Sequence, residues 1–241
     1  MVNLNHTKAQ YAIFFIFSLF GLLNIEMWER EKKYQLTGDE PHYVVLTESI
    51  LRYGSFSPIS AYMEEFKNKE IFKPGLAPAG SLPDATNAHI FPGPNGGYSF
   101  HLPGLPLLVT PAYAIGGVYG IKCFLVIFSA FGAVLLYRLA LKWHGQGAAL
   151  FWTLVFTGSY PYFYFASQIY PESPAAVLIL LIFYSGRQIF QERFAGPHRF
   201  LHLAAVAFSI ALLPWLHSKF AIVALPVGLV VFDRYMRRGW E

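Results

Sequence analysis

Apolar residues gather along this chain in long blocks separated by short polar joints. Blocks at 9–28, 119–141, 147–166, 173–188, 200–216 and 218–233 hold few charges, most of them at the ends. Each approaches the roughly 20 residues that a helix needs to cross about 30 Å of hydrocarbon. Only helices and closed barrels satisfy their backbone polar groups there. The pattern therefore predicts an all-α polytopic membrane protein: one membrane domain over residues 1–241, about six transmembrane helices, and interfacial helices in a long first external loop at 29–118.

The loop has structure of its own. Pro41 fits a helix start and Gly54 a helix end. Between them Tyr43, Leu46, Ile50 and Tyr53 recur at spacings of three and four, which marks one apolar face. Such a helix is too short to span and is expected to lie flat on the membrane surface. Glu40, next to Pro41, is the expected helix cap, which leaves Asp39 unengaged. From Ser55 to Tyr98 the pattern fades, and 74–106 holds seven prolines and six glycines. This reads as irregular loop, of a length that is usually functional or disordered. A short apolar run at 105–115 carries Pro106 and Pro111 and is not counted as a span.

Composition agrees with the block pattern: 55% of residues are hydrophobic, 18% aromatic and only 13% charged. The net charge of +4 comes from small basic groups beside apolar runs, which suits membrane anchoring and not nucleic acid. The single cysteine, Cys123, has no partner for an internal disulfide and reads as packing. No small-residue cleavage site follows Ile25, so the first block is expected to remain as a span. With the N-terminus inside, Arg138, Lys142, Arg187, Arg193, Arg199, Arg234, Arg237 and Arg238 all face the cytoplasm, as the positive-inside rule favours. Thr37–Tyr43, His101, Tyr170-Pro171-Glu172 and His217-Ser218-Lys219 then share the external side.

That shared side holds the candidate chemistry. Asp39 and Glu40 could act as a general base and its companion; capping or solvated charge is the competing account. His42 could meet a phosphate or join the two acids around a divalent cation, although one histidine beside two carboxylates is a weak metal signal and an ordinary surface histidine is the alternative. His101 sits beside a Pro-Gly turn that does not account for its imidazole. Tyr170 and Glu172 either orient a polar substrate or belong to loop and cap chemistry. His217 and Lys219 lie between two apolar runs, where Lys219 either meets a phosphate or snorkels to the interface. Tyr160, Tyr162, Tyr164 and Tyr170 read as an aromatic belt. No G-x-G-x-x-G, GK[ST], paired-Cys or HExxH motif is present.

The order of elements resembles the GT-C membrane glycosyltransferases: a first span, Gly38-Asp39-Glu40-Pro41-His42-Tyr43, a helix ending at Arg52-Tyr53-Gly54, and an outer loop closing at His101-Leu102-Pro103-Gly104. Within them it is similar to bacterial relatives of the protein O-mannosyltransferases and of the aminoarabinose transferase that modifies lipid A. The resemblance implies sugar transfer from a polyprenyl-phosphate donor, with inversion, to a hydroxyl of a glycan, lipid or protein at the outer face of the bacterial cytoplasmic membrane. It implies that Asp39 deprotonates the acceptor and that Glu40 positions the acceptor or an ion. His42 and Lys219 would stabilise the departing phosphate, and Tyr43, His101, Tyr170, Glu172 and His217 would line the substrate. Members usually continue further, so the resemblance also implies an N-terminal portion or a short form with a partner subunit. The rival classes are a transporter or flippase-like lipid carrier and a non-catalytic membrane subunit. The first of these would show repeats and mid-span charges.

Overall fold

The computed structural model describes residues 4–31, 36–68, 71, 89–94, 96–191 and 197–238. Its centre is α4 (Gly104–Ala140), against which α1 (Leu4–Arg30), α2 (Glu40–Tyr53), α5 (Gln146–Thr157), α7 (Glu172–Gln191) and α8 (Pro197–Leu216) pack. Without a hydrophobic drive between helices in lipid, close approach depends on small residues and buried hydrogen bonds. Both occur here. A Cβ on Gly21 of α1 would lie 2.5 Å from Val126 of α4, and one on Gly132 would lie 2.8 Å from Val177 of α7. Ser129 and Ser173 join α4 to α7 through hydroxyls 2.6 Å apart.

Among the described residues, four helices are long and apolar enough to cross a membrane: His6–Arg30, Gly104–Ala140, Glu172–Phe190 and Arg199–Leu216. The block at 147–166 is instead two short helices, α5 and α6 (Tyr160–Phe165), divided at Gly158 and Ser159. The last block opens with a 3-10 turn, Ser218–Phe220, before α9 (Ala221–Arg238), which carries Pro226 and whose apolar part is a shorter helix. Breaks of this kind are invisible to a hydropathy average and decisive for helix length.

The short run at 105–115 is the first arm of α4, bent at Gly116 and Gly117, where the backbone leaves helical geometry and Gly117 takes φ +57°. A Cβ on Gly120 would meet the Ala112 carbonyl oxygen at 2.3 Å. Eight residues of straight helix would separate them by about 12 Å, so the chain folds back on itself here. Gly104, at one end, abuts the backbone of Trp215 and Leu216. Beyond the bend Lys122, only 1% exposed, pairs with Glu29 at the end of α1, 3.1 Å away. The arm thus begins and returns near the ends of α8 and α1.

The stretch read as irregular between 55 and 98 contains α3 (Ile59–Asn68) and an antiparallel hairpin of β1 (Ile90–Gly93) and β2 (Gly96–Ser99). The Pro- and Gly-rich part at 72–88 lies outside the described residues. Nor does α2 leave its polar side open over its first turns. Its first ten residues, Glu40 to Ser49, are all buried, because α3 covers one side of it and α4 the other. The apolar spacing along 43–53 located the helix correctly but could not show that its polar side also has a protein cover. Gly54 ends the helix as expected, with φ +59° and its N–H on the Ile50 carbonyl at 3.1 Å.

Candidate active site at the loop end of the helices

The 37–43 turn is fixed from two sides. Gly38 takes φ +56°, and a Cβ there would lie 2.4 Å from the Tyr170 hydroxyl. Only glycine meets both demands at low cost. The Tyr170 hydroxyl crosses over it and donates to the Thr37 carbonyl at 3.0 Å. Helix α2 then starts at Glu40, with Asp39 in the cap position through its backbone carbonyl, which accepts from the N–H groups of His42 and Tyr43 at 3.1 and 3.2 Å.

The expected assignment of the cap to Glu40 is corrected by this geometry. Glu40 is fully buried. Its Oε2 accepts from the Thr37 N–H at 3.0 Å, and its Oε1 accepts from the Ile169 N–H at 2.8 Å. One carboxylate thereby ties the turn after α1 to the turn before α7. Asp39 is half-buried, and its side chain makes no cap hydrogen bond. Its negative charge acts on Tyr43, Tyr170 and His101.

His42 was expected at the surface and is 7% exposed. Its Nδ1 is hydrogen-bonded to the Tyr62 hydroxyl of α3. Its ring stacks on His89 at 3.8 Å and lies 5.4 Å from His101. Burial, and then the two neighbouring imidazoles, push His42 down to about 3. His101 is lowered to about 4, mainly by burial and by His89 and His217, against an opposing pull from Asp39. Both rings are therefore neutral at pH 7, and His42 does not supply the positive charge expected of it. Tyr43 packs at 4.8 Å from His101. Burial, followed by Asp39, Glu172 and Tyr170, raises its phenol and keeps it a donor; burial does the same for Tyr62.

Two further loops close the region. Lys219 forms an ion pair with Glu172 at the start of α7. The other Glu172 oxygen, Oε2, is buried and has no hydrogen-bond partner among the described residues. His217 caps the 3-10 turn, its Nδ1 accepting from the Lys219 N–H at 3.2 Å. All nine residues singled out from the sequence therefore meet in one region: Asp39, Glu40, His42, Tyr43, His101, Tyr170, Glu172, His217 and Lys219. Tyr162, assigned to an aromatic belt, instead donates to the Ser129 carbonyl at 2.7 Å.

Comparison with known proteins adds a family. Residues 89–241 match the model of the Alg9-like mannosyltransferase family. The chain belongs to that family. It is a membrane glycosyltransferase. The match begins at His89, so it takes in His101, Tyr170, Glu172, His217 and Lys219 and leaves the 37–43 turn to be judged on geometry. No curated protein and no solved structure matches the chain.

Sequence reasoning missed His89 and Tyr62. A signal for His89 was present, since His89 and His101 flank a stretch, Pro92-Gly93-Pro94-Asn95-Gly96-Gly97, with the turn composition of a hairpin. Nothing local pointed to Tyr62, which reaches His42 across 20 residues.

Proposed function

We propose that this family member transfers mannose from a polyprenyl-phosphate donor to an acceptor hydroxyl, with inversion at the anomeric carbon, in a GT-C type reaction. The reading places the site at the outer face of a bacterial cytoplasmic membrane, with the N-terminus inside. The observation that carries it is that Asp39, from the loop after α1, and Glu172, at the start of α7, both act on the Tyr43 phenol, with Lys219 paired to Glu172. Such an arrangement puts an acid and a cation together where an amphipathic donor lying in the membrane can reach both.

In this reaction the acceptor oxygen attacks C1 of the sugar while the bond from C1 to the phosphate oxygen breaks. The hydroxyl proton passes to the Asp39 carboxylate, and polyprenyl phosphate departs as the anion. A positioned base of this kind contributes about 10²–10⁴ in rate. Asp39 suits the role because its carboxylate takes no part in starting α2. Glu40 suits a positioning role, since both its oxygens hold backbone N–H groups on either side of the site. Lys219 is the cation for the departing phosphate and exchanges its Glu172 partner for it. Glu172 Oε2 offers a buried acceptor to a sugar hydroxyl, and the phenols of Tyr43 and Tyr170 serve as donors.

The test is transfer of radiolabelled mannose from polyprenyl-phosphate-mannose in membranes carrying the full chain. Asp39→Asn should lower transfer at least 100-fold with the protein present at its normal level. Undiminished transfer would remove Asp39 as the base.

A further inference from the structure

The three imidazoles beside the turn form a second constellation that the transfer reaction does not use. Hairpin geometry creates it. The β1–β2 register pairs Ile90 with Ser99, and the next bond outward runs from the Phe100 N–H to the His89 carbonyl at 2.8 Å. His89 and His101 therefore leave the open end of the hairpin side by side, with Nδ1 and Nε2 3.1 Å apart. The hairpin lies against Ile59 of α3, and both rings stack against His42, so that one ring nitrogen from each residue falls within 4.8 Å of the other two.

We propose that His42, His89 and His101 bind one divalent transition-metal ion of the zinc class. Three nitrogen donors and no oxygen suit zinc, cobalt or nickel, whereas magnesium and calcium take oxygen ligands. Neutral imidazole is the form that coordinates, and the His42 ring is buried in the protein. Ligand bonds of about 2.0–2.1 Å in a tetrahedral site put nitrogens about 3.4 Å apart. The His89–His101 pair stands near that spacing already, and His42 offers the third nitrogen within 4.8 Å of both.

Two features outside the ring cluster belong with such a site. Tyr62 holds His42 Nδ1, as the outer partners of metal-bound histidines fix ring orientation. His89 is the one non-glycine with positive φ among the described residues, at +48°. That conformation is strained for a residue with a Cβ and survives where surrounding structure or function demands it. Three protein ligands leave the fourth position of a tetrahedral ion for water or an anionic oxygen.

The experiment measures metal and not sugar, so its outcome is independent of Asp39→Asn. Full-length protein purified in detergent without a polyhistidine tag is stripped with chelator and titrated with Co2+, following the visible ligand-field bands. One equivalent should bind per chain, be displaced by Zn2+, and resist excess Mg2+. His89→Ala and His101→Ala should each weaken binding at least 100-fold while gel filtration shows the folded species. His144→Ala, in a residue far from the cluster, should leave it unchanged. Tyr62→Phe should weaken binding about tenfold, the lower end of the effect of losing an outer partner. Absence of a stoichiometric Co2+ complex, or a complex that persists in the His89→Ala/His101→Ala double variant, would overturn the proposal.

Discussion

The two ends of the helix bundle are both polar, but they use their polar groups differently. At the end carrying the candidate site, charged and aromatic side chains reach backbone atoms of other segments: Glu40 holds Thr37 and Ile169, and Tyr170 holds Thr37. At the opposite end, cations rest on aromatic faces, Arg138 at 4.6 Å from the Tyr184 ring and Arg187 at 5.3 Å from the Trp143 ring. A cavity of about 440 Å³ opens there, lined by His6, Arg138, Lys142, His144 and Tyr184 among others. A hydrogen bond to backbone fixes geometry to fractions of an ångström, whereas a cation over a ring tolerates sliding. One end is built to hold atoms in register, and the other to anchor charge.

Mutations can break this contrast. Its largest form is in transfer, where Asp39→Asn should cost at least 100-fold, within the range expected for a lost general base, and Lys142→Ala, assayed in the same membranes, should cost less than about twofold as a charge kept by topology. Equal losses would show that the two ends do not differ in function. Next is Glu40→Ala, which leaves the buried Ile169 N–H without an acceptor, at about 1–3 kcal/mol, and frees the part-buried Thr37 N–H. Thermal unfolding in detergent should show a large drop in Tm, and transfer should fall through loss of the fixed turn. A Tm matching the parent protein would mean that the carboxylate does not tie the two turns together.

A smaller effect is expected for Gly38→Ala. The left-handed backbone costs about 1–2 kcal/mol for a residue with a Cβ, and the new methyl must displace the Tyr170 hydroxyl. Restoration of stability in the double variant Gly38→Ala/Tyr170→Phe would locate the conflict at that hydroxyl; if the double variant is no better than the single one, backbone strain is the whole cost. The smallest is Arg138→Ala, where loss of the contact with Tyr184 is worth about 0.5–1 kcal/mol. A drop in Tm as large as that of Glu40→Ala would erase the distinction between the ends.

The sequence brought the candidate residues into view by treating the apolar blocks as spans, an ordering that sorts loops, although 147–166 proves to be two short helices. Once six apolar blocks are placed, the loops holding Asp39, His101, Tyr170 and Lys219 fall on one side, wherever the side chains point. It did not make roles legible. Glu40 and Asp39 are adjacent acids with similar surroundings in one dimension, and only the arrival of Ile169 from 129 residues away separates the buried tie from the half-buried acid. A surface position was the alternative for His42, and the cover that buries it includes Tyr62 of α3, in a stretch without a clear pattern.

The length and apolarity of the blocks determined an all-α membrane protein, since hydrocarbon admits few ways to satisfy a backbone. Glycine and proline positions determined where α2 ends and where α4 bends. Tertiary structure alone decided which blocks are long helices and which are broken. It also decided that α2 is enclosed, and that a hairpin delivers two histidines to a third. Those outcomes depend on contacts between residues tens of positions apart, whose energies exist only after the chain has closed the loops between them.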